Sequence, residues 1–348
     1  MAYFFRFLLK KCAVCVNIDT RICCFFERYL KMKKNIKRIV AFLLALLSVS
    51  MFFSCGKNDD DDGKLSVICT IFAPYDFARE IAGDTANVTM LVPPGSDTHS
   101  YDPTPRDVIA INKCDVFIYG GGESDTWVEK LIASAENPDM KIIKLIDCTE
   151  ELYYEEHKEG MTVGKHDHDD DDKEYDEHVW TSPRNAVIIS EKITKTLCEL
   201  SPENTEIYNE NFDLYKSELE KLDEEFKNIV SSGKRKEVIF GDRFPLLYFV
   251  KAYGLDYYAA FPGCAGETEP SGATVAFLIN KVKEDDIPVV FYLELSEGKI
   301  ASTICESTGA EKLRFNACHN VSKKDFENGV SYLSLMRENA EVLKKALG

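Results

Sequence analysis

From Lys64 to Gly348 short apolar runs alternate with amphipathic segments in two successive series, and one long stretch of helical periodicity separates the series. The first series contains the strand-like runs Leu65–Thr70, Ala86–Val92, Val116–Tyr119 and Lys141–Leu145, with helical segments over Pro74–Ala82, Thr104–Asn112 and Asp125–Ala135. Alternation of this kind predicts parallel strands, because each helix is the crossover that a parallel pairing requires. A further helix is predicted from about Asn185 to Leu200. Ser201-Pro202-Glu203-Asn204 then reads as the cap and first turn of a long one, in which Tyr208, Phe212, Leu214, Tyr215, Leu219, Leu222 and Phe226 recur at helical spacing through to Val230. The second series has strands at Val238–Phe240, Tyr257–Ala260, Val289–Leu293 and Leu313–Phe315, with helices over Leu246–Tyr253, Gly272–Glu284, Lys299–Thr308 and Ser331–Leu347. The expected fold class is α/β: two lobes with mainly parallel sheets, spanning 64–201 and 233–348, joined by one long rigid helix over 202–232. A ligand would then sit in the interlobe cleft, where loops at the carboxyl ends of the strands converge.

Residues 1–63 read as a signal and tether. The basic stretch Lys31–Arg38 precedes an uncharged run from Ile39 to Ser54 that ends at Cys55. That is the pattern of a charged n-region and an apolar h-region. Small Ser54 before Cys55, and the acidic tether Asp59–Asp62 after it, make Cys55 the lipidation candidate. Phe52 stands where such cleavage boxes usually carry Leu, which leaves ordinary signal cleavage or an uncleaved anchor as alternatives. Met32 reads as the natural start, with Met1 as the other choice.

Seven cysteines lie beyond Cys55, an odd number that cannot all pair. Cys69 and Cys114 fall in apolar runs and read as buried small hydrophobes, while Cys264, Cys305 and Cys318 could include one disulfide. A net charge of −17 excludes a general nucleic-acid binder, since no basic stripe is available to neutralise phosphates. Gly120-Gly121-Gly122 terminates a strand without a GxGxxG spacing and is weak evidence for a nucleotide.

Only six histidines occur, and four of them, His157, His166, His168 and His178, fall in one acidic stretch. Neutral imidazole is a favoured ligand for zinc-like cations, and a carboxylate-rich setting concentrates cations around it. The segment Glu150–Glu177 is poor in apolar residues and predicts a mobile loop.

Two motifs then carry a resemblance. Thr98-His99-Ser100-Tyr101-Asp102-Pro103-Thr104-Pro105 is similar to the His-x-Tyr-Glu-Pro-x-Pro of the solute-binding proteins of bacterial zinc and manganese ABC transporters. Asp176-Glu177-His178-Val179-Trp180-Thr181-Ser182-Pro183 is similar to their Asp-Pro-His-x-Trp-x-x-Pro. The resemblance runs from about Lys64 to Gly348 and implies that His99 and His178 are metal ligands. It places Arg243 where the family has a third ligand, although an always-charged guanidinium cannot coordinate a cation. Asp242 is a candidate substitute, or Arg243 orients a carboxylate such as Glu269 behind the ligands; in either case Arg243 is expected to turn onto an acid, Asp242 or Glu269. Ahead of the last helix, where the family carries an acid, His319 is the expected ligand. The implied function is that of an extracytoplasmic, lipid-anchored, monomeric receptor that captures Zn²⁺ and delivers it to the membrane permease of an ABC-type uptake system, without catalysing a reaction. His157, His166 and His168 would capture ions weakly. Mn²⁺ is the alternative cargo, but nitrogen-rich donors suit Zn²⁺ better. A zinc hydrolase and a surface adhesin are the rival classes; against the first, the chain has no HExxH helix.

Overall fold

Both series fold into four-stranded parallel sheets with the same strand order. β1 (Leu65–Cys69), β2 (Ala86–Met90), β3 (Val116–Tyr119) and β4 (Lys141–Lys144) form the first, in the order β2-β1-β3-β4. β5 (Glu237–Phe240), β6 (Asp256–Ala259), β7 (Val289–Leu293) and β8 (Glu311–Phe315) form the second, in the order β6-β5-β7-β8. All pairings are parallel. The computed structural model describes residues 63–97, 101–122, 125–133, 135, 137–162, 174–263 and 270–348. Cys55, His99, His166, His168, Cys264 and Glu269 lie outside the described residues.

The central strands are apolar on both faces because helices cover both; β3, Val-Phe-Ile-Tyr, is buried throughout. In the first lobe these helices are α1 (Phe72–Ala82), α2 (Pro105–Lys113), α3 (Thr126–Ala133) and α4 (Pro183–Leu200). Pro105 and Pro183 open their helices, where a missing N–H costs nothing. Thr104 and Asp107 close a capping box at the start of α2, so the chain that follows the His99 motif is fixed locally.

Helix α5 (Thr205–Ser232) has 28 residues, a length of about 42 Å at 1.5 Å per residue. Its inward stripe is Tyr208, Tyr215, Leu219, Leu222, Phe226, Ile229 and Val230. The stripe packs on α1, α4 and the last helix, so the residues of both sheets that face it share one continuous apolar core. The second lobe adds α6 (Leu247–Tyr253), α7 (Gly272–Glu284), α8 (Lys299–Thr308), the short α9 (Lys323–Glu327) and α10 (Tyr332–Leu347). α9 was not anticipated from periodicity, since five residues are too few to show it. No helix among the described residues is long and apolar enough to cross a membrane.

The main departure from expectation lies in Glu150–Glu177. Its two described parts are ordered, with Tyr154 and Tyr175 bridging antiparallel and their rings stacked at 4.4 Å. From there the chain lies across the second lobe as a strap. Glu156 pairs with Lys251 at 2.5 Å, Thr162 N donates to Ala260 O at 2.9 Å, and the Thr162 and Thr274 hydroxyls meet at 2.7 Å. Gly160 sits so close to Phe277 that a Cβ there would be 2.1 Å from the ring. Anchors of this kind are hydrogen bonds and single contacts, which leave no apolar periodicity in the sequence.

Candidate metal centre

The two switch points, between β1 and β3 and between β5 and β7, are where the chain leaves a sheet in opposite directions and opens a crevice. The candidate donors gather at these carboxyl ends. His178 lies in the turn that feeds α4 and is fully buried. Asp176 fixes it twice, accepting from the His178 backbone N at 2.9 Å and facing Nδ1 at 3.1 Å. With Nδ1–H held by a carboxylate, the imidazole lone pair is on Nε2, the arrangement that orients a metal-binding histidine. Burial pulls the His178 pKa down, but the negative charges of Asp176 and Glu177 outweigh it and leave it raised. A proton therefore competes with any cation for this ring.

His319 comes from the other lobe, between β8 and α9. Glu294, at the end of β7, accepts from Ala317 N at 2.7 Å and His319 N at 3.1 Å. Between them Cys318 takes a positive φ of 57°, a conformation that costs a non-glycine residue about 1–3 kcal/mol and that the Glu294 bonds hold in place. Trp180 completes the arrangement. Its indole donates to Ala317 O at 2.9 Å, and its ring lies 5.3 Å from that of His178 and 5.1 Å from that of His319. The two imidazoles stand edge to face at 5.2 Å.

Glu177 joins them. Donor atoms of Glu177, His178 and His319 all lie within 4.8 Å of one another. The cavity beside them, lined among others by Asp125, Glu177, Trp180 and His319, leaves about 10 Å³ for the centre of a water-sized sphere. That is room for a single ion or water. Two imidazoles and a carboxylate are a donor set that fits Zn²⁺.

Asp125 backs the carboxylate. It accepts from Gly121 N at 3.1 Å, and burial first, then the charge of Glu177, pushes its pKa up to about 7. The Gly120–Gly122 run now has a physical reason. A Cβ on Gly122 would stand 2.1 Å from Glu177 Oε2, and one on Gly120 would stand 3.1 Å from Asp125 Oδ2. The glycines make room for two carboxylates.

The structure thus brings His178 and His319 together and does not bring Asp242 to them. Asp242 instead accepts from Arg243 N at 2.9 Å and Leu293 N at 3.3 Å, tying the end of β5 to β7. Arg243 reaches neither Asp242's carboxylate nor, among the described residues, any carboxylate of its own lobe; its guanidinium pairs with Asp97 across the cleft at 3.6 Å. His157 is exposed on the strap, outside the donor group. Cys305 and Cys318 are both unbridged, as are Cys69 and Cys114, which are buried as expected. Sequence reasoning missed Glu177, Asp125 and Glu294. For Glu177 the signal was present: an acid stands where the similar motif has proline, directly before the ligand histidine.

The sequence profile described as "Zinc-uptake complex component A periplasmic" matches residues 67–346. The high-affinity zinc uptake system protein ZnuA of Bacillus subtilis (strain 168) is 30% identical over 317 residues, covering 89% of this chain and 96% of that protein. The zinc-binding lipoprotein AdcA of Streptococcus pneumoniae (strain ATCC BAA-255 / R6) is 30% identical over 308 residues, 88% of this chain, which spans only 60% of that relative's length. Among solved structures, the Zn(II)-bound ZnuA-like domain of S. pneumoniae AdcA superposes with a TM-score of 0.66 at 29% identity, over 82% of this chain and 99% of that one.

Proposed function

Because this chain belongs to the family of periplasmic zinc-uptake component A proteins, we propose that it is an extracytoplasmic zinc receptor, which captures Zn²⁺ between its lobes and hands it to the permease of an ABC-type uptake system. The observation that carries this reading is the meeting of Glu177, His178 and His319 from both lobes within 4.8 Å, beside a cavity sized for one ion. The receptor only binds and releases its cargo; His178, His319 and Glu177 supply donor atoms, and Asp176, Asp125 and Glu294 hold or back them. His99 is the proposed third imidazole. Glu177 takes the place expected for Asp242 as the carboxylate donor. Lobes at 64–201 and 233–348, with 202–232 between them, are the units we assign to this action. The proposal includes a lipid anchor at Cys55, a monomeric state and weak ion capture by His157, His166 and His168. Donors dominated by nitrogen favour Zn²⁺ over Mn²⁺.

Zinc titration of chelator-stripped protein tests the reading. His178→Ala and His319→Ala should each weaken binding by about a hundredfold or more, since even loss of a residue that only supports a zinc ligand costs about 10–100-fold. Wild-type isotherms from both variants would refute it.

A further inference from the structure

Asn320 is buried and directly follows the donor His319. Its amide nitrogen donates to two carbonyls of the other lobe, Pro93 O and Ser96 O, each at 2.9 Å. Its Oδ1 accepts from Val321 N at 2.8 Å. Around it, Gly95 N donates to Val321 O at 2.8 Å and Phe72 N to His319 O at 3.0 Å. Gly95 has a φ of +83°, which suits glycine and turns the chain so that its N–H meets the second lobe. One residue past Ser96, Asp97 meets Arg243 of the second lobe at 3.6 Å. The segment Pro93–Ser96, which leads in sequence towards His99, is therefore gripped by the loop that presents His319, and Arg243 holds the next residue, Asp97.

We infer that Asn320 is a positioning residue for the zinc site, with Arg243 as the outer part of the same clamp. This rests on the zinc reading above. A side-chain amide supplies two N–H donors in a fixed plane, and here both reach across the lobe boundary to carbonyls of the lobe that carries Glu177 and His178. Zinc–nitrogen distances are narrow, about 2.0–2.1 Å, so a shift of about half an ångström in the His319 loop relative to the first lobe detaches a ligand. Asn320 fixes that offset. Arg243, always charged and unable to coordinate, holds Asp97 at the rim, where its planar fork suits a carboxylate. Neither residue contributes a donor atom to the group of Glu177, His178 and His319.

The test is zinc affinity and zinc release rate, measured by chelator competition on the whole chain. Asn320→Leu keeps the volume and removes both donors. It should lower affinity about tenfold or more, mainly through faster release, because both bonds that tie the His319 loop to Pro93 and Ser96 are lost. A residue with a merely structural role would lower the unfolding temperature of the metal-free protein and leave affinity and release of the folded fraction unchanged; that result overturns the inference. Arg243→Gln and Asp97→Asn lie at the rim, where the fold tolerates change. Each should weaken zinc binding a few-fold, and the double variant no more than either alone; additive effects, or none, contradict the outer part of the clamp. His178→Ala, titrated alongside, separates the two claims. If His178→Ala still binds tightly, the zinc reading fails. If it does not, and Asn320→Leu behaves as wild type, only the clamp fails.

Discussion

Among single residues, two carboxylates compete for the metal, and their hydrogen bonds decide between them. Asp242 spends its oxygens on Arg243 N and Leu293 N, whereas Glu177 lies beside His178 and His319. Glu177→Gln should therefore cost about tenfold or more in zinc affinity, while Asp242→Asn should stay within a few-fold in isothermal titration; the reverse order would return the role to Asp242. Titration adds a second prediction. Burial raises Asp125 and Glu294 to about 7 and Asp76 to about 6, from ordinary values of 3.8, 4.5 and 3.8. The folded protein thus keeps protons that the unfolded chain releases. The stability these groups contribute is complete below about pH 4 and is lost as pH rises towards 7. His178, also raised, adds in the same direction. Metal-free protein should melt at a higher temperature at pH 5 than at pH 8, and zinc should raise the melting temperature more at pH 8, where His178 has released its proton. Equal zinc-induced shifts at both pH values would contradict this. Single site residues are also the least legible feature of the sequence. His178 and His319 stood out because histidine is scarce in the chain, whereas Glu177, Asp125 and Glu294 are acids in a sequence crowded with acids, and only their burial distinguishes them.

At the scale of elements, periodicity was enough to place β1 to β8 and the longer helices within a few residues, because each buries a face whose spacing the sequence displays. α7 and α8 begin and end at the expected residues, and α5 differs only in a first turn tightened over Pro202–Asn204. The strap was unreadable for the opposite reason. Its hold on the second lobe comes from Thr162, Glu156 and a tight Gly160–Phe277 contact, none of which repeats. The ordered arms predict a division of labour. Deleting residues 163–173 and bridging the gap with a Gly/Ser linker of equal length should remove weak, low-affinity zinc equivalents and leave the tight site within a few-fold, because the anchors at Thr162 and Asp176 are kept. Loss of the tight site on this deletion would make the acidic stretch part of the primary coordination.

For the whole molecule, the same strand order in both lobes creates two crevices, and α5 with its shared core sets them facing one another. Cross-lobe bonds from Trp180, Asn320 and Tyr332 then fix the distance between the crevices. Trp180 is the centre of this arrangement, fully buried and packed against both imidazoles, so its truncation to alanine would cost about 3–5 kcal/mol of packing as well as the site. Everything converges on one claim, that a single cation sits where the two lobes' donors meet. Diffraction from crystals of zinc-loaded protein, with anomalous data collected on both sides of the zinc edge, tests it most directly. One strong zinc peak per chain is expected, with the His178 and His319 nitrogens and a Glu177 oxygen at about 2.0–2.2 Å. A peak bound instead by Asp242, or one with the His319 ring beyond coordinating distance, would contradict it.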